Sequence, residues 1–298
     1  MNFPELSVPF YSRARHYMRP GPGHFLMYIF GRFRVVRSFM VWIYRQSPAT
    51  PLPTFGPAFV EDVEVDGAVR EIRQHGFFSG LQLSNEVVEQ LRTFSSFATC
   101  FGDGKVDFPF RYADKPFAEQ QATRTFRLGK YHHALRTCPA LQALASDPKL
   151  LAIARAYFGC EPVLLGARLW WSFAGPADPR EQMAAGQGYH YDIDGYRGLT
   201  FFFYLTDVES SNGPHVYIRG SHVNKPLKHL VSMYKGRSDA QIDKFYGRER
   251  QVILCGPAGF GFAEDTFGFH KGLSPENSDR LMVQVRYGLH DYGTGRND

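Results

Sequence analysis

Cysteine, long uncharged runs and, near the N terminus, acidic side chains are all scarce in this sequence. The 298 residues include 4 cysteines without a CxxC pair or another zinc-type spacing. A cysteine-based metal site or disulfide framework is therefore not indicated, and a reducing, cytoplasmic compartment is favoured over secretion. Residues 1–60 carry seven arginines and one acid, Glu5, so this arm is +6 and the remainder −1 of a total of +5. A nucleic-acid-binding face on the body is not expected.

The most apolar stretch lies within this basic arm, at residues 24–46, and is too interrupted to span a membrane. Arg32, Arg34 and Arg37 divide it into uncharged runs far shorter than the about 20 residues that a spanning helix needs. Arginines so close to the first apolar run also fit a cleavable signal peptide badly. On one helix, Arg34 and Arg37 would share a polar stripe beside apolar residues that include Trp42. This pattern predicts peripheral contact with the inner face of an anionic membrane, or packing on the body or on a second subunit.

A proline-rich segment, 47–57, predicts a boundary between this arm and the rest of the chain. Its four prolines resist both helix and sheet. We therefore expect an arm at 1–57, with an amphipathic helix, and a single larger domain at 58–298. Within that domain, Asp147 reads as the N-cap of a helix that ends at Gly159.

From Val163 onwards the pattern changes to short strands. Runs rich in aromatic and β-branched residues alternate with turn sequences such as SSNGP and CGPAG. Several short antiparallel strands with longer excursions are typical of a jelly roll. The expected fold class is mainly β, with helices that flank the sheets.

A histidine and an aspartate stand two residues apart at the start of one predicted strand. Side chains at this spacing leave the same face of a strand, so His190 and Asp192 can reach one ion together. A second histidine would complete the two-histidine, one-carboxylate set of non-haem Fe(II) oxygenases, and His270 is the best candidate. Arg280, ten residues further on, could bind a dicarboxylate. Taken alone, the HxD pair also fits a hydrogen-bonded surface pair.

Further motifs surround the HxD pair. NGP within 211–214, RGSH at 219–222 and HKG at 270–272, which follows a GPAG turn, occur in that order before Arg280. Together with HxD, they resemble the phytanoyl-CoA dioxygenase (PhyH) family of Fe(II)/2-oxoglutarate oxygenases, from about Val69 to the C terminus. The resemblance implies a cupin-like double-stranded β-helix as the catalytic domain.

The resemblance also implies a cofactor set and the residues that bind it. His190, Asp192 and His270 would hold Fe(II), with 2-oxoglutarate and O2 as cosubstrates and ascorbate as a reductant in assays. Arg280 would bind the far carboxylate of 2-oxoglutarate, and other pocket residues are expected on its own strand and on the strand of LWW. The residues assigned to the cosubstrate pocket are Arg280, Arg168, Trp170 and Arg286.

The expected activity is hydroxylation of a small molecule or of a lipid- or glycan-linked substrate. Halogenases of this superfamily have a small residue where Asp192 stands, so oxygen transfer is expected. The same ligands permit desaturation, epimerisation or ring formation. A non-catalytic jelly-roll binding module is the alternative from another class.

Several neighbouring residues carry narrower predictions. Gly272 stands where the family often has Ser, which removes one hydrogen bond to a carboxylate. Asp194 is an outer-shell candidate, whereas His215 and His222 are interpreted as structural partners of loop backbone. The segment Phe101–Pro139, with its cluster of basic and histidine side chains, is either a loop over the active site or solvated surface.

Overall fold

Two antiparallel sheets form the body of the protein. The computed structural model describes residues 21–46, 52, 58–176, 187–232 and 236–293. The strands are β1 (Phe77–Gln82), β2 (Cys100–Gly102), β3 (Pro109–Phe110), β4 (Leu128–Lys130), β5 (Val163–Ser172), β6 (Gly198–Tyr204), β7 (His215–Ile218), β8 (Gln251–Leu254), β9 (Phe260–Glu264), β10 (His270–Gly272) and β11 (Arg280–Gly288). They form an 8-stranded sheet, in the order β1-β9-β6-β11-β5-β4-β2-β3, and a 3-stranded sheet, in the order β10-β7-β8.

Helices flank the larger sheet and fill the excursions between strands. They are α1 (Pro22–Phe30), α2 (Arg34–Gln46), α3 (Val65–His75), α4 (Asn85–Phe97), α5 (Lys115–Ala122), α6 (Ala134–Thr137), α7 (Pro139–Leu144), α8 (Pro148–Phe158), α9 (Leu227–Val231) and α10 (Asp239–Tyr246). Over the residues that the structure describes, none of these helices combines the length and the apolar character needed to cross a bilayer.

The predicted cap of α8 is confirmed and also connects two parts of the chain. Asp147 Oδ1 accepts a hydrogen bond from Lys149 N at 2.8 Å, which satisfies a backbone donor at the start of the helix. Gly159 ends the helix with a φ of 72°, in the left-handed region that favours glycine. The second oxygen, Asp147 Oδ2, accepts from Phe59 N at 2.6 Å. The segment that enters the body is therefore fixed to the start of α8.

The two faces of β11 pack against different layers because successive strand residues point to opposite sides. Val283 and Val285 belong to the main apolar core, which the flanking helices share. Met282 belongs instead to a second cluster, between the sheets, with Tyr204 of β6 and Leu254 of β8. The face of β11 that begins with Arg280 therefore lines the interior of the roll.

The N-terminal helices correct one prediction from the sequence. The sequence predicts one helix in this arm, and the structure has two, α1 and α2. Arg37 does not share an outward stripe with Arg34. Arg34 is exposed, whereas the Arg37 side chain is 11% exposed and forms an ion pair with Asp265, with 3.7 Å between Nη2 and Oδ1. The face of α2 that packs on the body includes Arg37, whereas Arg34 lies outside it.

Candidate metal centre

Backbone pairing brings the two predicted histidine ligands side by side. His190 N donates to His270 O at 3.0 Å, and His270 N donates to His190 O at 2.9 Å. This reciprocal pair joins the HxD segment to β10 and leaves the imidazole ring centroids 4.4 Å apart. Asp192 N donates to Thr266 O at 2.8 Å, and Asp192 Oδ2 lies 3.8 Å from His270 Nε2. One ligand atom from each of the three side chains lies within 4.8 Å of the others.

Both imidazoles are oriented to present Nε2. His190 Nδ1 lies 2.8 Å from Gly188 O, and His270 Nδ1 lies 3.1 Å from Gly268 O. A carbonyl can only accept, so each Nδ1 carries the proton and each Nε2 is left with a lone pair. Burial is the main reason why the pKa of His270 falls to about 4. The ring is therefore neutral at neutral pH, the form that binds a metal.

A buried carboxylate that the sequence analysis missed lies behind His270. Glu264 is fully buried, and its Oε2 lies 2.9 Å from His215 Nε2. Its other oxygen, Oε1, lies 3.8 Å from His270 Nδ1. Burial raises the pKa of Glu264 to about 7, against the opposing effect of His270. The partner of His215 is thus this carboxylate and not the loop backbone that we expected.

The strand sequence contains a signal for Glu264. In FGFAE of β9, Glu264 shares a face with Phe260 and Phe262, both of which pack in the cluster between the sheets. A glutamate on an apolar strand face needs a polar partner inside the fold. That reasoning would have connected Glu264 to the nearby histidines.

Arg280 is a buried cation with unused hydrogen-bonding capacity. It is 4% exposed, and its Nη2 donates to Ser172 Oγ at 3.0 Å, directly across the β11–β5 pair. Among the residues that the structure describes, its Nε and Nη1 have no hydrogen-bond partner, and burial lowers its pKa. A Cβ added at Gly272 would lie 3.2 Å from Nη2, so glycine leaves open space beside the guanidinium. Unpaired buried donors are costly, and a bound carboxylate would satisfy them.

The metal-ligand set and Arg280 open into one cavity of about 520 Å³. Arg168 and Trp170 also line it, as do Lys130 and His132 from the segment that we predicted either to cover the site or to be solvated. The structure thus groups most of the predicted site residues. Arg286 is not among the lining residues; its Nη1 lies 3.2 Å from Asp194 Oδ2, in an ion pair.

The turn before His270 receives support from the N-terminal helices. The turn spans residues 265–269 and supplies the two carbonyls that hold Asp192 N and His270 Nδ1. Asp265 accepts from Tyr157 OH at 2.7 Å and faces Arg37 of α2. Burial acts to raise the pKa of Asp265, but Arg37 and the hydrogen bonds outweigh burial and hold the pKa below its usual value. Helix α2 therefore helps to fix the turn that orients two of the ligands.

No family profile and no curated protein matches this sequence, but solved structures do match its fold. The non-haem 2-oxoglutarate-dependent carbocyclase SnoK of nogalamycin biosynthesis is 19% identical, with 78% of this chain and 87% of that chain covered and a TM-score of 0.55. The epimerase SnoN, in complex with Fe3+, 2-oxoglutarate and a nogalamycin compound, is 14% identical over 75% and 82%, with a TM-score of 0.52. HygX from Streptomyces hygroscopicus, with nickel, 2-oxoglutarate and hygromycin B bound, is 17% identical over 74% and 86%, with a TM-score of 0.50.

These matches confirm the predicted fold class. The chain has the double-stranded β-helix fold of these enzymes, with helices on the outside of the larger sheet. At such low identities the likeness concerns the fold and does not extend to substrates or reactions. The PhyH resemblance stays a prediction that depends on the sequence motifs.

Proposed function

We propose that this protein is a non-haem Fe(II)/2-oxoglutarate-dependent oxygenase. The observation that carries the proposal is a single cavity that holds the His190, Asp192 and His270 donor set together with the incompletely paired guanidinium of Arg280. Two imidazoles and one carboxylate suit Fe(II) and leave coordination positions open. With 2-oxoglutarate and O2, the bound iron would supply an oxidant strong enough to attack an unactivated C–H bond. The solved structures of this fold that contain metal and 2-oxoglutarate support the same assignment.

The protein's own residues would hold the ligands ready and bind the cosubstrate. The carbonyls of Gly188 and Gly268 keep Nδ1 of each histidine protonated, so Nε2 needs no rearrangement before it binds the ion. Arg280 would bind the far carboxylate of 2-oxoglutarate through two parallel N–H groups. Ser172 fixes the guanidinium through Nη2, and Gly272 places no side chain beside it.

The remainder of the cavity supports a small-molecule substrate or the reactive end of a carrier-linked one. Its volume is within the range of ordinary ligand pockets. Arg168 lies opposite Gln284 in the β5–β11 pair, as Ser172 lies opposite Arg280. Arg168 and Ser172 are four residues apart, or about 13 Å along β5. We therefore assign Arg168 and Lys130 to the substrate end of the cavity and not to the carboxylate at Arg280. Lys130 at that end favours a substrate with an acidic or strongly hydrogen-bond-accepting group.

Hydroxylation is the outcome that we propose, because Asp192 supplies a carboxylate ligand where a halogenase would need space for chloride. SnoN and SnoK are described as an epimerase and a carbocyclase, so the same fold supports other outcomes. Product analysis distinguishes them: hydroxylation adds one oxygen atom to the substrate, whereas epimerisation leaves its mass unchanged and desaturation or ring formation removes two hydrogens.

The test is anaerobic reconstitution with Fe(II) and 2-oxoglutarate, followed by measurement of succinate after O2 is admitted. Wild-type protein should form succinate only when Fe(II) and 2-oxoglutarate are both present. The rate of succinate formation should fall by at least about 100-fold in His190→Ala. Loss of an outer-sphere partner already costs about 10–100-fold, and loss of a direct ligand should cost more.

His75→Gln is the matched control, since His75 is half-buried on α3 and outside the cavity lining. This control should form succinate at the wild-type rate. Equal succinate formation by wild type and His190→Ala, or none by freshly reconstituted wild type, would contradict the proposed function.

A further inference from the structure

The outer face of the N-terminal helices exposes large apolar side chains to solvent. On α2, Val35, Phe39 and Trp42 are 81%, 57% and 58% exposed, and their spacing of four and three residues places them along one stripe. On α1, Leu26 and Phe30 form a second exposed pair, four residues apart. Contiguous exposed apolar side chains on a folded protein mark an interaction surface.

The opposite face of the same helices is already occupied by the body. Met27 and Val41 are buried in the main core, and Arg37 reaches Asp265. Arg32 Nη1 also donates to Leu230 O at 3.2 Å. The helices are therefore held in place with their apolar stripes outward, so the exposure of those stripes does not come from an undocked segment.

Charge decides which occupant fits this outer face. Arg34 stands beside Val35 on the exposed side, and the sequence contains no acidic residue from position 6 to position 60. Two copies of this face in a symmetric contact would bring arginines together without a carboxylate to pair them. An anionic membrane surface instead offers acyl chains to the stripe, headgroup phosphates to Arg34 and an interfacial environment to Trp42.

We propose that the outer face of α1 and α2 binds the surface of an anionic lipid bilayer, with Phe39 and Trp42 inserted at the headgroup level. Binding through this face holds the chain at the membrane interface. The surface lies on the side of α2 opposite to the residue that contacts Asp265. This inference does not depend on the proposed oxygenase activity.

The test is cosedimentation of the full chain with vesicles of phosphatidylcholine alone or of phosphatidylcholine and phosphatidylglycerol in equal parts. Wild type should bind the anionic vesicles, and rising salt should weaken binding. The Phe39→Ser/Trp42→Ser double variant should bind at least about tenfold less, and Arg34→Glu about fivefold less. Phe97→Ser is the matched control, because Phe97 is 72% exposed on α4, and it should bind as wild type does.

A second measurement tests direct contact. Brominated lipids should quench part of the wild-type tryptophan emission, and that part should be absent in Trp42→Phe. Equal binding of the double variant and wild type, or no binding by wild type, would overturn the proposal. It would also be overturned if the double variant changed only the oligomeric state measured by light scattering, since that result would assign the face to a second copy of the chain.

Discussion

The metal centre and the N-terminal helices depart from the usual burial pattern in opposite directions. At the centre, groups that normally stay in water are buried: Glu264 is 0% and Arg280 4% exposed. On α2, large apolar side chains that normally pack inside are exposed, Trp42 among them. Both arrangements cost stability that the isolated fold does not recover. In our proposals a ligand completes each region: an ion and a dicarboxylate at the centre, and lipid at α2.

Arg37 connects the two regions. Arg37 lies on the inward face of α2 and contacts Asp265, at the start of the turn that holds Asp192 and His270. Substitutions on the two faces of α2 should therefore have separable effects.

The largest effect is expected at Asp192. Asp192→Asn should reduce Mn(II) or Co(II) affinity, measured by anaerobic calorimetry, by at least about 100-fold because a direct anionic ligand is lost. Asp194→Asn is the matched comparison, since Asp194 forms an ion pair with Arg286. It should lower thermal stability but keep metal affinity within a few-fold. Metal loss in both variants would mean that the ligand set has been misassigned.

The next largest effect is expected at Arg280, on the affinity for 2-oxoglutarate and not on the affinity for metal. Arg280→Met should reduce 2-oxoglutarate affinity of the metal-loaded protein by about 100-fold, since a buried charge-assisted pair is worth about 2–5 kcal/mol. Arg280→Lys should recover only part of this, because a lysine lacks the planar two-donor geometry. Unchanged 2-oxoglutarate affinity in Arg280→Met would place the far carboxylate elsewhere.

Replacing Arg37 should have a smaller effect at the same centre. Arg37→Met should weaken metal binding by about tenfold through the turn at 265–269, whereas Arg34→Met, on the exposed side, should not. In wild type the lowered pKa of Asp265 contributes stability above the unfolded pKa, which is lost as the pH falls through the folded value. Without Arg37 the pKa of Asp265 should rise, so acid unfolding followed by circular dichroism should begin at a higher pH. Identical acid unfolding of Arg37→Met and wild type would argue against this role.

The smallest effect is expected for the folding stability of Trp42 variants. Trp42→Ser should change the free energy of unfolding by less than about 0.5 kcal/mol, because the side chain is exposed. Val41→Ala, one residue earlier and buried, should cost about 2 kcal/mol through lost burial and a cavity. Denaturant unfolding measures both. A large loss in Trp42→Ser would show that this face packs within the protein and is not available to lipid.

How far the sequence could predict the structure depends on the kind of information that each feature needs. The strands from Val163 onwards and the cap at Asp147 follow local rules, and the sequence predicts them, whereas it does not predict β1 to β4. The connection of His270 to His190 is predicted through the order of the motifs that resemble the PhyH family. The reciprocal backbone pairing that joins these histidines is a long-range register, which local patterns do not specify.

Other features depended on tertiary contacts alone. The inward position of Arg37 follows from which face of α2 meets the body, and the helix sequence is apolar on several sides. The pairing of Arg286 with Asp194 shows that a shared strand face is not sufficient to place a side chain in the cavity. Glu264 is an intermediate case, because its unusual position on an apolar strand face is visible in the sequence while its partners are not.

The most direct test of the central claim is a calorimetric comparison of three ligands on anaerobic, Fe(II)-loaded protein: 2-oxoglutarate, glutarate and 2-oxobutyrate. Glutarate lacks the keto group that would bind iron, and 2-oxobutyrate lacks the far carboxylate that would bind Arg280. We predict that 2-oxoglutarate binds much more tightly than either analogue, and that its advantage over glutarate disappears when the metal is removed. Equal affinities for all three ligands, or 2-oxoglutarate binding that does not depend on metal, would contradict a shared site formed by the three metal ligands and Arg280.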